Sequence, residues 1–167
     1  LAYPVPSDTL AALKKFRADG KQCRNLGLLF ERYIGYLPPD WRLDDKRSSP
    51  KKDALKQIAD TPVERELLTA YAQRWRAMVD DAEILEGNPQ WRFLTGLGGK
   101  GPLEVGFTFH ALYGLPIIPG SALKGLTHAY AELVRQASPQ DLERVFGSQN
   151  QAGDAIFFDA IPAEPPQ

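Results

Sequence analysis

The sequence predicts an α+β fold in which a helical N-terminal region precedes a small sheet threaded by a helix. Three observations carry this. Apolar residues recur at helical spacing up to about Glu86. From Gly87 the period shortens to two. The extended runs are then separated by a glycine-rich excursion and a capped helix, an order that suits an α+β or split βαβ sheet. The expected organisation is a helical N-terminal extension over residues 1–87, a sheet-and-helix domain over 88–162, and a proline-rich tail over 163–167.

In the first half, "SDTLAALKKFRADG" offers Ser7 and Asp8 as caps, sets Leu10, Leu13 and Phe16 on one side and closes at Gly20. "NLGLLFERYIGYL" carries Leu26, Leu29, Phe30, Tyr33, Ile34 and Leu37 as one stripe, which Pro38 and Pro39 end. A polar loop leads to a third helix with Ser49 as cap and Pro50 at its first position. Thr61, Pro62 and Glu64 read as a capping box ahead of the longest helix, with Val63, Leu67, Tyr71, Trp75, Met78 and Leu85 as its stripe. At ~1.5 Å per residue that helix would span about 35 Å.

In the second half, "QWRFLTGLG", "LEVGFTFHALYG" and "DAIFFDAIP" are the expected strands. Between them a helix begins near Ser121, with Leu123, Leu126, Tyr130, Leu133 and Val134 expected to face inward. "SPQDLERVFG" is a further capped turn, with Ser138 as cap, Pro139 at the first position and Gly147 at the stop. Three strands make a sheet with exposed edges, so a partner or further chain is expected to complete it.

Composition bounds the function. The chain has 167 residues, 43% hydrophobic and 25% charged, the profile of a soluble globular protein of about one domain. Lys plus Arg (20) nearly cancels Asp plus Glu (21), so an anionic partner must be met by a local patch. The densest is Lys46, Arg47, Lys51, Lys52 and Lys56, which reads as a solvated loop or an RNA contact. Cys23 is the single cysteine, outside any metal-ligand spacing, and is expected to be a buried small residue. No apolar run approaches ~18 residues, so no membrane partner and a cytoplasmic location are expected. The missing initiator methionine and the "IPAEPPQ" end lead us to expect trimming at one or both termini.

The chemistry-bearing stretches are three. "GLGGKG" matches G-x-G-x-x-G, but Pro102 and an alternating run follow where a dinucleotide fingerprint must open a helix. Gly101 also stands where a Walker A loop needs Ser or Thr. What remains is a loop of small bulk, Gly98 and Gly99, with one charge at Lys100. "SALK", Ser121 to Lys124, matches the Ser-x-x-Lys of acyl-enzymes without their companion motifs. "GLPIIPGSALKGLTH" also reads as a phosphate cradle: prolines stiffen the approach, Gly120 gives clearance, and amides open at the helix start. Ser121, Lys124 and His128 share one flank. A plain capped helix explains the same residues, and both readings stay open. His110 and His128 could serve acid–base chemistry, but nothing nearby in sequence orients His110, and a structural role is expected. Phe107, Phe109 and Tyr113 could stack on bases, though core packing is the expectation.

The run from Phe93 to Glu132, with its strand ending Gly-Leu-Gly, "EVGFTFH", "YGLPIIPGSALKG" and a downstream "FG" before "AGDAIFFDAIP", resembles the RAMP superfamily of CRISPR-associated proteins. Within it the similarity is greatest to the sixth-subunit branch of the Cmr, or type III-B, effector complex, over about Trp91 to Pro162. The resemblance implies a ferredoxin-like, RRM-related fold, incomplete here because the family's later strands have no counterpart before Gln167. It also implies a scaffold role beside crRNA and target RNA, with other Cmr subunits as partners. It implies no catalysis and no cofactor, because the family's cleaving subunits place an aspartate in a loop that does not map here. With it, Gly120, Ser121 and Lys124 are expected to meet the sugar-phosphate backbone, and Lys100 with Gly98 and Gly99 to line the same path. The alternatives are a metal-independent crRNA-processing endoribonuclease and a protein–protein adaptor.

Overall fold

Caps and turns within the first half set how its helices end. The structure, a computed structural model, describes residues 1–44, 49–99 and 101–165. Helix α1 spans Ser7–Ala18, but Pro6 is its N-cap and no side chain caps it. Ser7 and Asp8 lie inside the first turn, where the Asp8 carboxylate accepts from the Thr9 amide at 2.6 Å. Its expected apolar side meets no core: α1 has no buried residue. It is held instead by Arg17, which donates to the Tyr3 hydroxyl at 2.9 Å.

Helix α2 spans only Leu26–Glu31, capped by Asn25, whose Oδ1 accepts from the Leu28 amide at 2.9 Å. The expected stripe is buried at Leu26, Leu29, Phe30 and Ile34, yet the helix stops halfway along it. The reason is competition for the backbone: Tyr36 exchanges hydrogen bonds with Ala2, and Leu37 does so with Arg42.

Helix α3, Pro50–Asp60, follows the local signals. Ser49 Oγ accepts from Lys52 N at 3.2 Å and Pro50 opens the helix. Helix α4, Arg65–Met78, does not. Thr61 closes α3 by donating from Oγ1 to the Gln57 carbonyl at 2.7 Å, and Glu64, the N-cap of α4, makes no capping bond and pairs with Arg24. No capping box forms. At 14 residues α4 is about 21 Å long rather than about 35 Å. Its inner face runs through Leu67, Leu68, Tyr71 and Trp75 to Val79, while Met78 and Leu85 are exposed.

The core lies between these helices and the run Leu103–Phe109. Phe30, Ile34 and Leu103 are its centre, with Leu55, Ile58, Val105, Phe107 and Phe109 packed around them. Phe107 and Phe109 sit 5.1 and 5.9 Å from the Phe30 ring, so these two aromatics pack in the core. Residues 103, 105, 107 and 109 thus keep the period-two disposition read from sequence.

A ladder does not form. Among the described residues, the expected strands meet only through isolated bridges, such as Phe109 with Pro116 and Ile118 with Ala160. Thr95 and Ile117 flank Thr108 through single backbone bonds of 3.0 and 3.3 Å. Continuity is broken where Glu104 takes φ +60° and where Gly106 crosses Gly96 with no room for a Cβ.

Helix α5 spans Gly120–Leu133 and packs on α6, Pro139–Phe146. Ser138 caps α6 as its sequence requires, accepting from Asp141 N at 3.1 Å. The orientation of α5 reverses expectation: Leu126, Tyr130, Leu133 and Val134 face solvent.

Candidate nucleic-acid interface

The start of α5 is built by a residue far away in sequence. Pro119 is its N-cap and offers no side-chain acceptor. Ile118 and Ala160 exchange backbone hydrogen bonds of 3.0 and 2.9 Å, which sets Asp159 beside the helix start. Its Oδ1 accepts from the Gly120 amide at 2.7 Å. An anionic acceptor here satisfies an orphan donor and meets the positive end of the helix dipole. Asp159 therefore does the work expected of Ser121, which makes no capping bond. The amides of Ala122 and Leu123 turn back to the Pro119 carbonyl at 2.9 and 3.1 Å. Of the four leading amides, among the described residues, only that of Ser121 makes no hydrogen bond.

Gly120 is buried, and a Cβ on it would run into the Phe157 carbonyl and the Phe158 backbone. The clearance it gives is used by the chain's own crossing segment. Ser121 is exposed and Lys124 half-buried, with no carboxylate in ion-pair reach of Lys124 among the described residues. His128, on the same flank, packs edge-on against Phe146 at 5.0 Å and has Nδ1 3.8 Å from Glu132.

In the glycine loop, Gly96 takes φ +80° and its carbonyl accepts from Gly99 N at 2.8 Å. Gly98 and Gly99 are exposed, and Gly98 has open space where a Cβ would point. Lys100 lies outside the described residues, as do Lys46 and Arg47. A groove of about 480 Å³ separates this loop from α5, with Phe93, Leu94, Gly96, Ala122, Leu123 and Leu126 among its walls. Ser121 and Lys124 are not in those walls. At 100° per residue they fall on the other flank of α5, so the glycine loop and the lysine do not line one continuous channel.

His110 has a structural task. Its Nδ1 accepts from the amides of Leu112 and Tyr113 at 3.2 and 3.3 Å, holding the turn before Gly114. Its ring stacks on Tyr113 and stands edge-on to Tyr71, both at 4.8 Å, and the Arg74 guanidinium lies 5.2 Å over the Tyr113 ring. Burial raises the pKa of Tyr71, and the charge of Asp159 and then Tyr113 raise it further. Of the basic cluster, among the described residues, Lys51 pairs with Glu104 at 3.0 Å and Lys56 with Asp60 at 2.7 Å. Cys23 is half-buried rather than buried. Among the described residues, no three His, Cys, Asp or Glu side chains gather as a metal-ligand set, and no helix is long and apolar enough to cross a membrane.

Residues 88–167 match the model of the RAMP superfamily. Over these residues, just under half of the chain, it is similar to the RAMP superfamily. The RAMP match takes in the glycine loop, α5, α6 and Asp159. Curated relatives agree with it. The chain is 31% identical over 114 residues to a CRISPR system Cmr subunit Cmr6 of Saccharolobus solfataricus, covering 68% of this chain and 34% of that protein. It is 24% identical over 154 residues to a CRISPR system Cmr subunit Cmr6 of Pyrococcus furiosus, covering 58% of this chain and 45% of the relative. The chain thus spans between a third and a half of the length of these relatives.

Two features of this region escaped the sequence. Asp159 gave no local sign, because its partner is 39 residues away. Tyr71 was legible as a core position of a helix, but not as a neighbour of His110, 39 positions further on.

Proposed function

We propose that the chain is a non-catalytic scaffold subunit of a type III-B (Cmr) CRISPR effector complex, contacting the crRNA or target RNA backbone in antiviral defence in the cytoplasm. The observation that carries the RNA contact is Lys124. Its half-buried side chain shares a flank with the exposed Ser121, has no carboxylate partner among the described residues, and lies one turn from the leading amide of Ser121, which makes no hydrogen bond among those residues. A single cation and an amide suit a phosphate, and base pairing by the guide would supply sequence recognition. In this reading Gly98 and Gly99 give a second close approach to the backbone, and Gly120 serves the fold. The ferredoxin-like, RRM-related sheet is part of the same proposal, supported by the backbone bonds that join Thr95 to Thr108, Thr108 to Ile117 and Ile118 to Ala160.

The non-catalytic part is supported by the histidines. His110 spends Nδ1 on two backbone amides, and His128 is turned toward Phe146 and Glu132. Metal-free cleavage of labelled RNA that disappears in His110→Ala would replace this reading with the endoribonuclease. The scaffold reading is tested by direct titration with single-stranded RNA at low salt. Binding that weakens steeply with salt and little with sequence is the expected result. No binding at low salt, with tight capture of a neighbouring Cmr subunit, would leave the adaptor, a reading favoured by the solvent-facing apolar side of α5.

A further inference from the structure

Helix α1 sorts its charges in a way that its own stability does not require. Residues 14–24 carry five basic side chains and one acidic, in a chain where 20 basic residues face 21 acidic ones. All five are exposed, and among the described residues only Arg24 has a carboxylate partner, Glu64. At 100° per residue Lys14 and Arg17 fall about 60° apart with the half-buried Leu10 between them. Asp8 and Asp19 fall on the opposite side, together with Lys15. One flank is thus purely cationic.

Two of the cations are also held in place. Arg17 donates from Nη1 to the Tyr3 hydroxyl at 2.9 Å, and its guanidinium lies 4.9 Å over the Tyr3 ring. The end of α1 fixes the other. Gly20 takes φ +72°, its amide bonds the Arg17 carbonyl at 3.0 Å, and the Lys21 amide bonds the Phe16 carbonyl at 3.1 Å. This turns the chain back and brings Lys21 Nζ to 6.0 Å over the Phe16 ring. A cation resting on an aromatic ring keeps its full charge and has less freedom to lose on binding. The helix dipole would accept any cation in the last turn. It asks neither for the acids to be sorted away nor for Arg17 to be tied to Tyr3.

We propose that Lys14, Arg17 and Lys21 form a second contact to the RNA sugar-phosphate backbone, on the helical half of the chain and outside the residues that match the RAMP model. It rests on the RNA-binding reading above, but not on Lys124. The poverty of apolar surface decides the class of partner. Helix α1 has no buried residue, Leu10 and Leu13 are half-buried, and the Phe16 ring carries Lys21. Exposed ion pairs with an acidic protein contribute little without an apolar centre beside them, and a membrane-surface helix needs a broad apolar face. A polyphosphate needs neither, because each neutralised phosphate releases counterions.

The test is titration of the whole chain with a short single-stranded RNA of mixed sequence over a salt series. A chain carrying Lys14→Gln, Arg17→Gln and Lys21→Gln together is expected to bind at least tenfold more weakly at low salt, with the log-log salt slope shallower by about 2, at about 0.7 per phosphate. Lys15→Gln removes the same charge from the opposite side and is expected to leave the slope unchanged. Should the triple variant lose helix by far-ultraviolet circular dichroism, the pair Lys14→Glu and Lys21→Glu, which keeps the Arg17–Tyr3 bond, is expected to show the same loss of affinity. An unaltered slope in these variants, or an equal effect of Lys15→Gln and Lys14→Gln, overturns the proposal while the Lys124 contact stands. Binding of polyglutamate or of anionic vesicles as tight as that of RNA overturns it in favour of a protein or a membrane. No binding of RNA by the unaltered chain at low salt overturns the RNA-binding reading itself, and this contact with it.

Discussion

The carboxylate of Asp159, which follows α6 in the chain, accepts a 2.7 Å hydrogen bond from the amide of Gly120 and closes the start of α5. The site where an anion was expected from outside is thus partly filled from within. This relationship separates what α5 needs for its own stability from what it offers to a ligand.

Removing the cap has a cost. Asp159→Ala is expected to destabilise the chain by about 1 kcal/mol, within the 0.5–2 kcal/mol typical of lost N-caps. Asp159→Asn keeps an acceptor and should lose less. Urea denaturation midpoints of the two variants measure the difference, and equal midpoints to the unaltered chain would show that the bond contributes nothing.

Gly120→Ala tests what the glycine is for. Helix propensity alone would favour alanine by up to about 1 kcal/mol. The Phe157 carbonyl stands where the new Cβ must go, so we expect a net loss of stability without any RNA present. A stabilised variant with weakened RNA binding would return Gly120 to the ligand.

Lys124→Ala is expected to weaken binding about equally across unrelated RNA sequences and to shallow the log-log salt slope by about 0.7 for single strands. Filter binding over a salt series reads both. An unchanged slope removes Lys124 from the interface.

Alkaline stability follows from Tyr71. Its pKa in the fold is raised above the ordinary 10.0, first by burial and then by the charges of Asp159 and Tyr113. The fold holds the neutral phenol, so this contribution is fully present below pH 10 and is lost as pH rises through the higher folded value. Tyr71→Phe should therefore flatten the decline in urea midpoint above pH 10. An equally steep decline in that variant would show that Tyr71 contributes nothing to it.

What was legible in the sequence was whatever closes locally. Ser49 with Pro50 and Ser138 with Pro139 each cap a helix because donor and acceptor lie within three residues, and no distant group competes. Leu103, Val105, Phe107 and Phe109 kept their alternation because one face of the run is buried, whether or not a ladder forms. The failures have distant causes. Ser121 lost its capping place to Asp159, Thr61 was taken by the end of α3, and the helix after Leu26 was cut short by Ala2 and Arg42. For α5 the stripe was read correctly and its direction was not, since spacing says which residues share a side and nothing about what lies opposite. The Ser121, Lys124 and His128 flank was likewise legible as a flank, but its turn toward α6 was not.

The pairing of Ile118 with Ala160 also limits how the chain can vary in length. Successive side chains in an extended segment point to opposite sides, so inserting one residue between Asp159 and Ala160, or sliding the pairing by one, would aim the carboxylate away from Gly120. Substitutions around this bridge can be absorbed one at a time. Gaps cannot, and sequence variants that share this junction should preserve its spacing more strictly than its residue types.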